Sequence, residues 1–349
     1  MTQPLQQKVW RLGEIGAGYN AMKQHREPIP TPGPGQYLVR IHSVSLNYRD
    51  IVYANGTYPA PGLKGGIVPV SDMAGEIVAV GENALKFKAG DRVTSIQEQA
   101  NIYGLTDALH PQILGGPLDG VLQEYRVFDE IALLRAPDYL TYDELSTFPI
   151  AAVTAWNALY GGKTKLIPGE TVLLQGTGGV SMFGLLIAHA AGARTIITSS
   201  EDAKLALAKK MGATHTINYK RTPDWDVEVN RLTDGVGAHH VIDNVGLNEI
   251  ERCFGAVATG GNVISVGGLG GKPTAVPNIP MLAILKQAIL RGVIVGSKQL
   301  FEELLRFAEV NEIHPHVHRT FAFDQAIEAF QYLEGAQHFG KVVIHVTSH

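Results

Sequence analysis

Thr171-Val-Leu-Leu-Gln175 runs straight into Gly176-Thr177-Gly178-Gly179-Val180-Ser181, and the chain that follows sets Val180, Phe183, Gly184, Ile187, Ala188 and Ala191 at helical spacing. A short apolar run, a glycine-rich turn and an apolar helical stripe are the strand, turn and helix that open a βαβ unit. Glycines at such a turn let backbone N–H groups and the helix N-terminus approach a pyrophosphate that Cβ atoms would obstruct. By itself the pattern also fits an ordinary tight turn; its place on the first strand of a longer series gives it meaning. Ser181 stands where G-x-G-x-x-G has its third glycine, and serine is small enough for helix packing.

Outward from this turn the series continues with Thr195-Ile-Ile-Thr, Thr216-Ile-Asn-Tyr, His240-Val-Ile-Asp, Asn262-Val-Ile-Ser-Val and Gly292-Val-Ile-Val, separated by helical stretches. Six such strands with crossovers predict a parallel, doubly wound sheet. The second strand ends Thr198-Ser199-Ser200, where an NAD site normally carries an acid for the ribose hydroxyls. Ser199, Ser200, Lys204 and Tyr219 are instead suited to a 2′-phosphate, so the expected cofactor is NADPH. Ser200 also reads as a helix N-cap and Lys204 as a solvated charge, and Glu201 and Asp202 would repel a phosphate.

Toward the N-terminus the grammar differs. From Gly35 to about Val127 short strands alternate with turns; Gln36-Tyr-Leu-Val-Arg-Ile-His-Ser-Val puts Tyr37, Val39 and Ile41 on one face, and Pro28, Pro30, Pro32 and Pro34 precede it. Such a half closes most naturally as a small β-barrel, which removes exposed edges. Beyond Ser297 we expect a helix over Leu300–Val310, a strand over Pro315–Phe321, a helix from Asp324 and a last strand, Lys341-Val-Val-Ile-His-Val. The predicted domains are residues 1–148 with 297–349, and 149–296.

With 349 residues the chain is long enough for two cores. One cysteine, Cys253, excludes an intrachain disulfide and a cysteine-rich metal site, and makes a reducing, cytoplasmic setting the expectation. The 29 basic and 33 acidic residues form no cationic block that would drive nucleic-acid binding. Met1–Leu12 lacks the apolar core of a secretion signal, and Met281–Val295 is interrupted by Lys286 and Arg291, so no membrane span is expected.

Pro34-Gly-Gln-Tyr-Leu-Val-Arg-Ile, Ser45-Leu-Asn-Tyr-Arg-Asp, Gly75-Glu-Ile-Val-Ala-Val-Gly, Gly90-Asp-Arg-Val, Thr154-Ala-Trp-Asn-Ala-Leu and Gly340-Lys-Val-Val-Ile together resemble the medium-chain dehydrogenase/reductase superfamily over essentially the whole chain. The resemblance implies an α/β protein: a GroES-like β-barrel catalytic domain completed by the C-terminal segment, an inserted six-stranded Rossmann domain, a cleft where nicotinamide meets substrate, and a dimer or tetramer. Zinc alcohol dehydrogenases of this superfamily carry Cys where this chain has Asn47, His-Glu where it has Ser71-Asp72, a further ligand near Ile150, and a four-cysteine lobe between Val93 and Tyr125 that has no cysteine here. The chain therefore resembles the zinc-free quinone oxidoreductase and enoyl reductase branch, and no metal is expected. By the same resemblance Thr154, Gly176, Gly178, Gly179, Val180, Asn244, Val245, Gly267, Phe339 and Lys341 are assigned to the cofactor.

Hydride transfer belongs to the cofactor, so the protein must orient the acceptor and stabilise the developing oxyanion. Asn47 and Tyr48 are candidate donors, although Asn47 to Asp50 also reads as a capped helix start ending at Asn55-Gly56. Tyr58 sits where some enoyl thioester reductases keep a proton-donating tyrosine; it also reads as a packed aromatic. Thr154 reads alternatively as a helix-surface hydroxyl. His314, His316 and His318 alternate as on one strand face, where a metal is conceivable but a structural strand is expected. His239-His240 reads as structural and Cys253 as a small buried hydrophobe. The expected activity is hydride transfer to a quinone, enone or other α,β-unsaturated carbonyl, with aldehyde/alcohol interconversion or non-catalytic NADPH binding as alternatives. The apolar Gly292-Val-Ile-Val edge points to a homodimer.

Overall fold

The computed structural model describes residues 5–58, 62–106, 111–273 and 275–347. The first four residues of the N-terminal stretch, the proline after Tyr58, and parts of the loops Glu98–Leu118 and Leu269–Pro280 lie outside that set. Two compact units are formed: Met1–Ala151 with Ser297–His349, and Ala152–Gly296.

In chain order the first unit begins with strands β1 (Gln6–Arg11), β2 (Lys23–Pro28) and β3 (Gln36–Ser45), helix α1 (Tyr48–Ala54), strands β4 (Asp72–Val80), β5 (Arg92–Ser95), β6 (Tyr125–Asp129) and β7 (Leu133–Arg135), and helix α2 (Tyr142–Ser146). The second unit holds α3 (Val153–Tyr160), β8 (Thr171–Leu174), α4 (Gly179–Ala190), β9 (Arg194–Ser199), α5 (Asp202–Lys210), β10 (His215–Asn218), α6 (Trp225–Leu232), β11 (Ala238–Asp243), α7 (Ile250–Ala256), β12 (Val257–Ser265), α8 (Ile279–Lys286) and β13 (Ile289–Gly292). The chain then returns to the first unit with α9 (Lys298–Val310), β14 (Val317–Ala322), α10 (Ala326–Glu334) and β15 (Lys341–His345).

β3 organises the first unit. It pairs antiparallel with β4 on one edge, and with β6 and β15 on the other, in a seven-stranded sheet ordered β14-β15-β3-β4-β5-β7 with β6 on β3. Tyr37, Val39 and Ile41 are buried as the alternation predicts, but the strand is buried on both faces from Ile41 onward, and its register with β4 shifts twice. The β1–β2 hairpin is not anticipated from sequence, because β2 reads Lys-Gln-His-Arg-Glu-Pro and lies almost wholly exposed, without an apolar face to betray it. Trp10 anchors it, its Nε1 donating to the Phe323 carbonyl at 2.9 Å.

In the second unit six parallel strands run in the order β10-β9-β8-β11-β12-β13. The strand order reverses at β8, so the carboxyl ends of β8 and β11 flank the crevice where open α/β sheets bind ligands. Helix α4 is buried more broadly than the predicted stripe: Ser181, Met182 and Leu185 are buried too, while Val180 and Ala191 are half-buried. Gly184 allows this close seat, since a Cβ there would lie 2.7 Å from Leu174 Cδ2 and 3.4 Å from Ile242 Cδ1.

The last strand of this sheet corrects the sequence reading. It spans Ile289–Gly292 rather than Gly292–Val295, because Val295 takes a left-handed backbone (φ 43°) that cannot continue a strand. In the C-terminal segment the strand expected from Pro315 begins at Val317, which separates His314 from any shared strand face with His318. No helix among the described residues is long and apolar enough to cross a membrane.

Candidate active site

The glycine turn is built to leave room. Gly176 is left-handed (φ 76°), a conformation that favours glycine, and a Cβ at Gly176 or Gly178 would meet nothing within 4 Å. Gly178 is extended and accepts the first helical bond, from Met182 N at 3.0 Å, which leaves the preceding N–H groups of Gly179, Val180 and Ser181 without helical partners. Open space facing unsatisfied N–H groups at the start of a twelve-residue helix fits a dinucleotide pyrophosphate. Beneath it Ser181 Oγ donates to the Gln175 carbonyl at 2.7 Å, and Asn244 Nδ2 donates to both Ser181 Oγ and that carbonyl. The neighbouring turn, where Val245 and Gly267 lie, is held by Asp243, whose buried carboxylate accepts from Val245 N and Gly246 N.

β9 ends at Ser199, not at an acid. Ser199 Oγ accepts from Glu201 N at 3.4 Å, and Glu201 rather than Ser200 caps α5. The Lys204 side chain is only 11 % exposed and its Nζ lies 3.0 Å from Glu201 Oε1. Arg221, absent from the sequence expectations, pairs with Asp202 at 2.8 Å. Tyr219 is exposed just past β10, its backbone N–H bonded to the Ser199 carbonyl. The two acids and two cations of this strand end are thus matched one to one.

In the first unit Asn47 begins α1 and Asp50 returns its carboxylate to the Asn47 N–H at 2.9 Å, the acid-at-N3 start the sequence suggests. Asn55 and Gly56 (φ 68°) end the helix. The Asn47 side chain is spent elsewhere: its Oδ1 accepts from Lys341 Nζ at 2.7 Å, and its amide group serves the Ser45 carbonyl and Asp72. Lys341, only 4 % exposed, also donates to the Leu46 carbonyl at 2.5 Å. Asp72, at 0 % exposure, accepts from Ser71 Oγ at 2.7 Å and from Ile150 N at 3.1 Å.

Burial dominates the acid–base behaviour of this cluster. It raises the Asp50 carboxyl to about 6 against the pull of Arg49, and raises Asp72 against the pull of Lys341. It lowers the Lys341 ammonium to about 8 although both carboxylates act the other way. Asn47, Ser71 and Asp72, with an ammonium among them and their oxygens already committed, are a poor donor set for zinc.

Tyr48 differs from its neighbours. It is 51 % exposed, and its hydroxyl has no protein partner among the described residues. Tyr58 is half-buried against Tyr53, with the Arg49 guanidinium 5.2 Å above its ring. Thr154 is buried on α3, not a helix-surface hydroxyl. Phe339 and Lys341, assigned above to the cofactor, commit their side chains to the interior of the first unit, Phe339 stacking edge-on against His316. Of the histidines, His314 pairs with Glu144 and His318 with Tyr332, and among the described residues no three His, Cys, Asp or Glu side chains gather as a metal site. His240 bonds Glu170 and His239 accepts from Thr171 N, both structural roles.

The Lys341–Asp50–Asp72 cluster escaped the sequence reading. Its signal was a lone lysine opening an otherwise apolar strand, but its partners lie more than 250 positions away in sequence, where no local pattern links them.

A doubly wound sheet with an open glycine turn at its switch point, in one chain with a β-sheet unit completed by the C-terminal segment, defines a two-domain dinucleotide-dependent oxidoreductase. Residues 179–309 match the zinc-binding dehydrogenase family and residues 33–138 the alcohol dehydrogenase GroES-like domain. The chain is 41 % identical to a zinc-type alcohol dehydrogenase-like protein of Schizosaccharomyces pombe, over 95 % of this chain and 96 % of that one. It is 30 % identical to a quinone oxidoreductase of Pseudomonas aeruginosa, over 90 % and 92 % of the two chains. The crystal structure of a candidate alcohol dehydrogenase from Sinorhizobium meliloti superposes with a TM-score of 0.90 at 35 % identity, covering 99 % of this chain and all of that one. The protein belongs to the medium-chain dehydrogenase/reductase superfamily, whose members use a nicotinamide cofactor.

The Asp50 shift has a measurable sign. Between pH about 6 and the ordinary value of 3.8, the folded protein holds a proton that the unfolded chain has released, so acidification through this window stabilises the native state through this group. Asp50→Asn cannot titrate. The melting temperature of the wild type minus that of Asp50→Asn should therefore rise by several degrees as pH falls from 7 to 4; a difference independent of pH would show that Asp50 is not protonated ahead of the unfolded chain.

Proposed function

We propose that the protein is an NADPH-dependent, zinc-independent reductase of quinones, enones or related α,β-unsaturated carbonyls. The observation that carries this reading is the buried Lys341 ammonium at the heart of the first unit's polar cluster, where Asn47, Ser71 and Asp72 offer no ligand set for a metal, while Tyr48, the residue after Asn47, is exposed and its hydroxyl has no partner among the described residues. An acceptor whose carbonyl is already conjugated needs a hydrogen-bond donor rather than a Lewis acid, because charge spreads onto its oxygen as the remote carbon is reduced. The bound nicotinamide supplies the hydride. Tyr48 donates a hydrogen bond to the developing oxyanion, Asn47 fixes the helix start that carries Tyr48, and a proton reaches the product from Tyr58 or water.

Kinetics test this directly. Turnover of a quinone and enone panel should persist after chelation and dialysis, with no stoichiometric zinc by elemental analysis. Tyr48→Phe should lower kcat about tenfold with unchanged cofactor affinity. Chelator-sensitive oxidation of simple alcohols would favour the dehydrogenase reading, and tight NADPH binding without turnover of any acceptor a non-catalytic one.

NADPH is favoured by residue type at this strand end: Ser199 and Ser200 stand where a ribose-binding acid would, and Lys204 and Tyr219 lie close in sequence to the ends of β9 and β10. Losing a charge-assisted hydrogen bond of about 1.5–3 kcal/mol, Lys204→Ala should weaken NADPH roughly ten- to a hundredfold and barely affect NADH. Glu201→Gln, which releases Lys204 from its ion pair, should tighten NADPH. Equal losses for both cofactors, or a wild type that prefers NADH, would reject this assignment.

We also propose a homodimer formed along the β13 edge. Ile289 and Leu290 on that strand are exposed, and α8 adds exposed Met281, Ile284 and Leu285 with no residue of its own buried. An apolar edge of this kind invites pairing with a second copy. Light scattering should give twice the chain mass, and Ile284→Glu with Leu285→Glu should halve it; a monomeric wild type at micromolar concentration refutes the pairing.

A further inference from the structure

The N–H groups of the glycine turn point where the peptide plane that launches the turn sends them. That plane joins Gln175 to Gly176, and its carbonyl oxygen is gripped twice, by Ser181 Oγ at 2.7 Å and by Asn244 Nδ2 at 3.1 Å. Asn244 Nδ2 gives its other hydrogen to Ser181 Oγ at 2.9 Å, which closes a ring of three hydrogen bonds. The Gln175 side chain widens the arrangement, its Oε1 accepting from Asn244 N at 3.2 Å and its Nε2 donating to Cys253 Sγ at 3.2 Å. Ser181, Gln175, Asn244 and Cys253 are all buried. The end of β8, the first turn of α4 and the end of β11 are thereby tied through the Gln175 carbonyl, and helix α7 is tied to them through the Gln175 side chain.

Ser181 occupies the third-glycine position, yet the duty of close helix packing falls one turn later on Gly184, against Leu174 and Ile242. Position 181 is released for a polar task. We propose that Ser181 is a positioning residue for the dinucleotide: with the Asn244 amide, its hydroxyl fixes the Gln175 carbonyl and so aims the backbone N–H groups of the turn at the pyrophosphate. Restoring the consensus glycine at 181 weakens cofactor binding, although the side chain touches no part of the cofactor. The inference rests on dinucleotide binding alone, not on the choice of NADPH or of acceptor.

Calorimetric titration of NADH, NADPH and ADP-ribose into wild type, Ser181→Gly, Ser181→Ala and Ser181→Thr tests it, with thermal melting of the cofactor-free proteins to set a temperature at which each is folded. Loss of the hydroxyl should weaken all three ligands by a common factor of about five to thirty, the scale of one or two buried hydrogen bonds, while Ser181→Thr, which keeps the hydroxyl, stays within about twofold of wild type. Wild-type affinity in the glycine and alanine variants overturns the proposal, as does a loss in a folded Ser181→Thr equal to that in Ser181→Ala, or a loss confined to NADPH. Should the position-181 variants not fold, Asn244→Ala removes the carbonyl's other donor and must show the same uniform loss; wild-type affinity there overturns it equally.

Discussion

Burying an ammonium ion costs several kcal/mol unless its partners are buried with it, and the first unit is arranged around that requirement at Lys341. The lysine opens β15; its hydrogen bonds go to Leu46 and Asn47 just past the end of β3, and its charge faces Asp72 at the start of β4 and Asp50 in the first turn of α1. Four elements from distant parts of the chain must meet for the charge to be tolerated. The opposite shifts of Lys341 and Asp50 show that desolvation outweighs pairing here. The cluster is therefore better understood as fixing geometry than as adding net stability. What it fixes is the helix start that presents Tyr48.

The second unit divides its labour differently. Gly176 provides a backbone turn that other residues rarely adopt, Gly178 leaves space beside the helix start, Gly184 brings helix and sheet together, and Ser181 ties the turn to the neighbouring strand. The glycine turn and the helix it opens thus carry four separate physical tasks. Only the first two concern space for a ligand; the others keep that space in one shape.

The doubly wound sheet was legible in the sequence because parallel strands covered on both faces read as continuous apolar runs, as Thr171–Leu174 and Val241–Ile242 do. The misplaced edge strand carried the same kind of run, Val293-Ile-Val, but the pairing with β12 ends at Gly292 and the backbone turns left-handed at Val295. The β1–β2 hairpin was hidden because its second strand buries almost nothing. At the site, residue types at the β9 end could be read, but not that Glu201 takes Lys204 and Asp202 takes Arg221, since partner choice among neighbouring charges depends on side-chain geometry. The Lys341 cluster was beyond sequence reading for a related reason: its members share no period and no neighbourhood until the fold supplies one.

The pairing of β15 with β3 also imposes an order of assembly. The second unit is one continuous stretch, Ala152–Gly296, and can complete itself while the ribosome is still working. The first unit cannot: Lys341 is made 295 residues after Leu46, an interval of roughly 15–60 s at about 5–20 residues per second. Throughout that time the Ser43–Ser45 edge of β3 lacks its β15 neighbour, and Asp50 and Asp72 have no ammonium to justify their burial. Until that strand is made, closing the first unit would bury Asp50 and Asp72 without the Lys341 charge that offsets their desolvation, so the cluster favours completing this unit last.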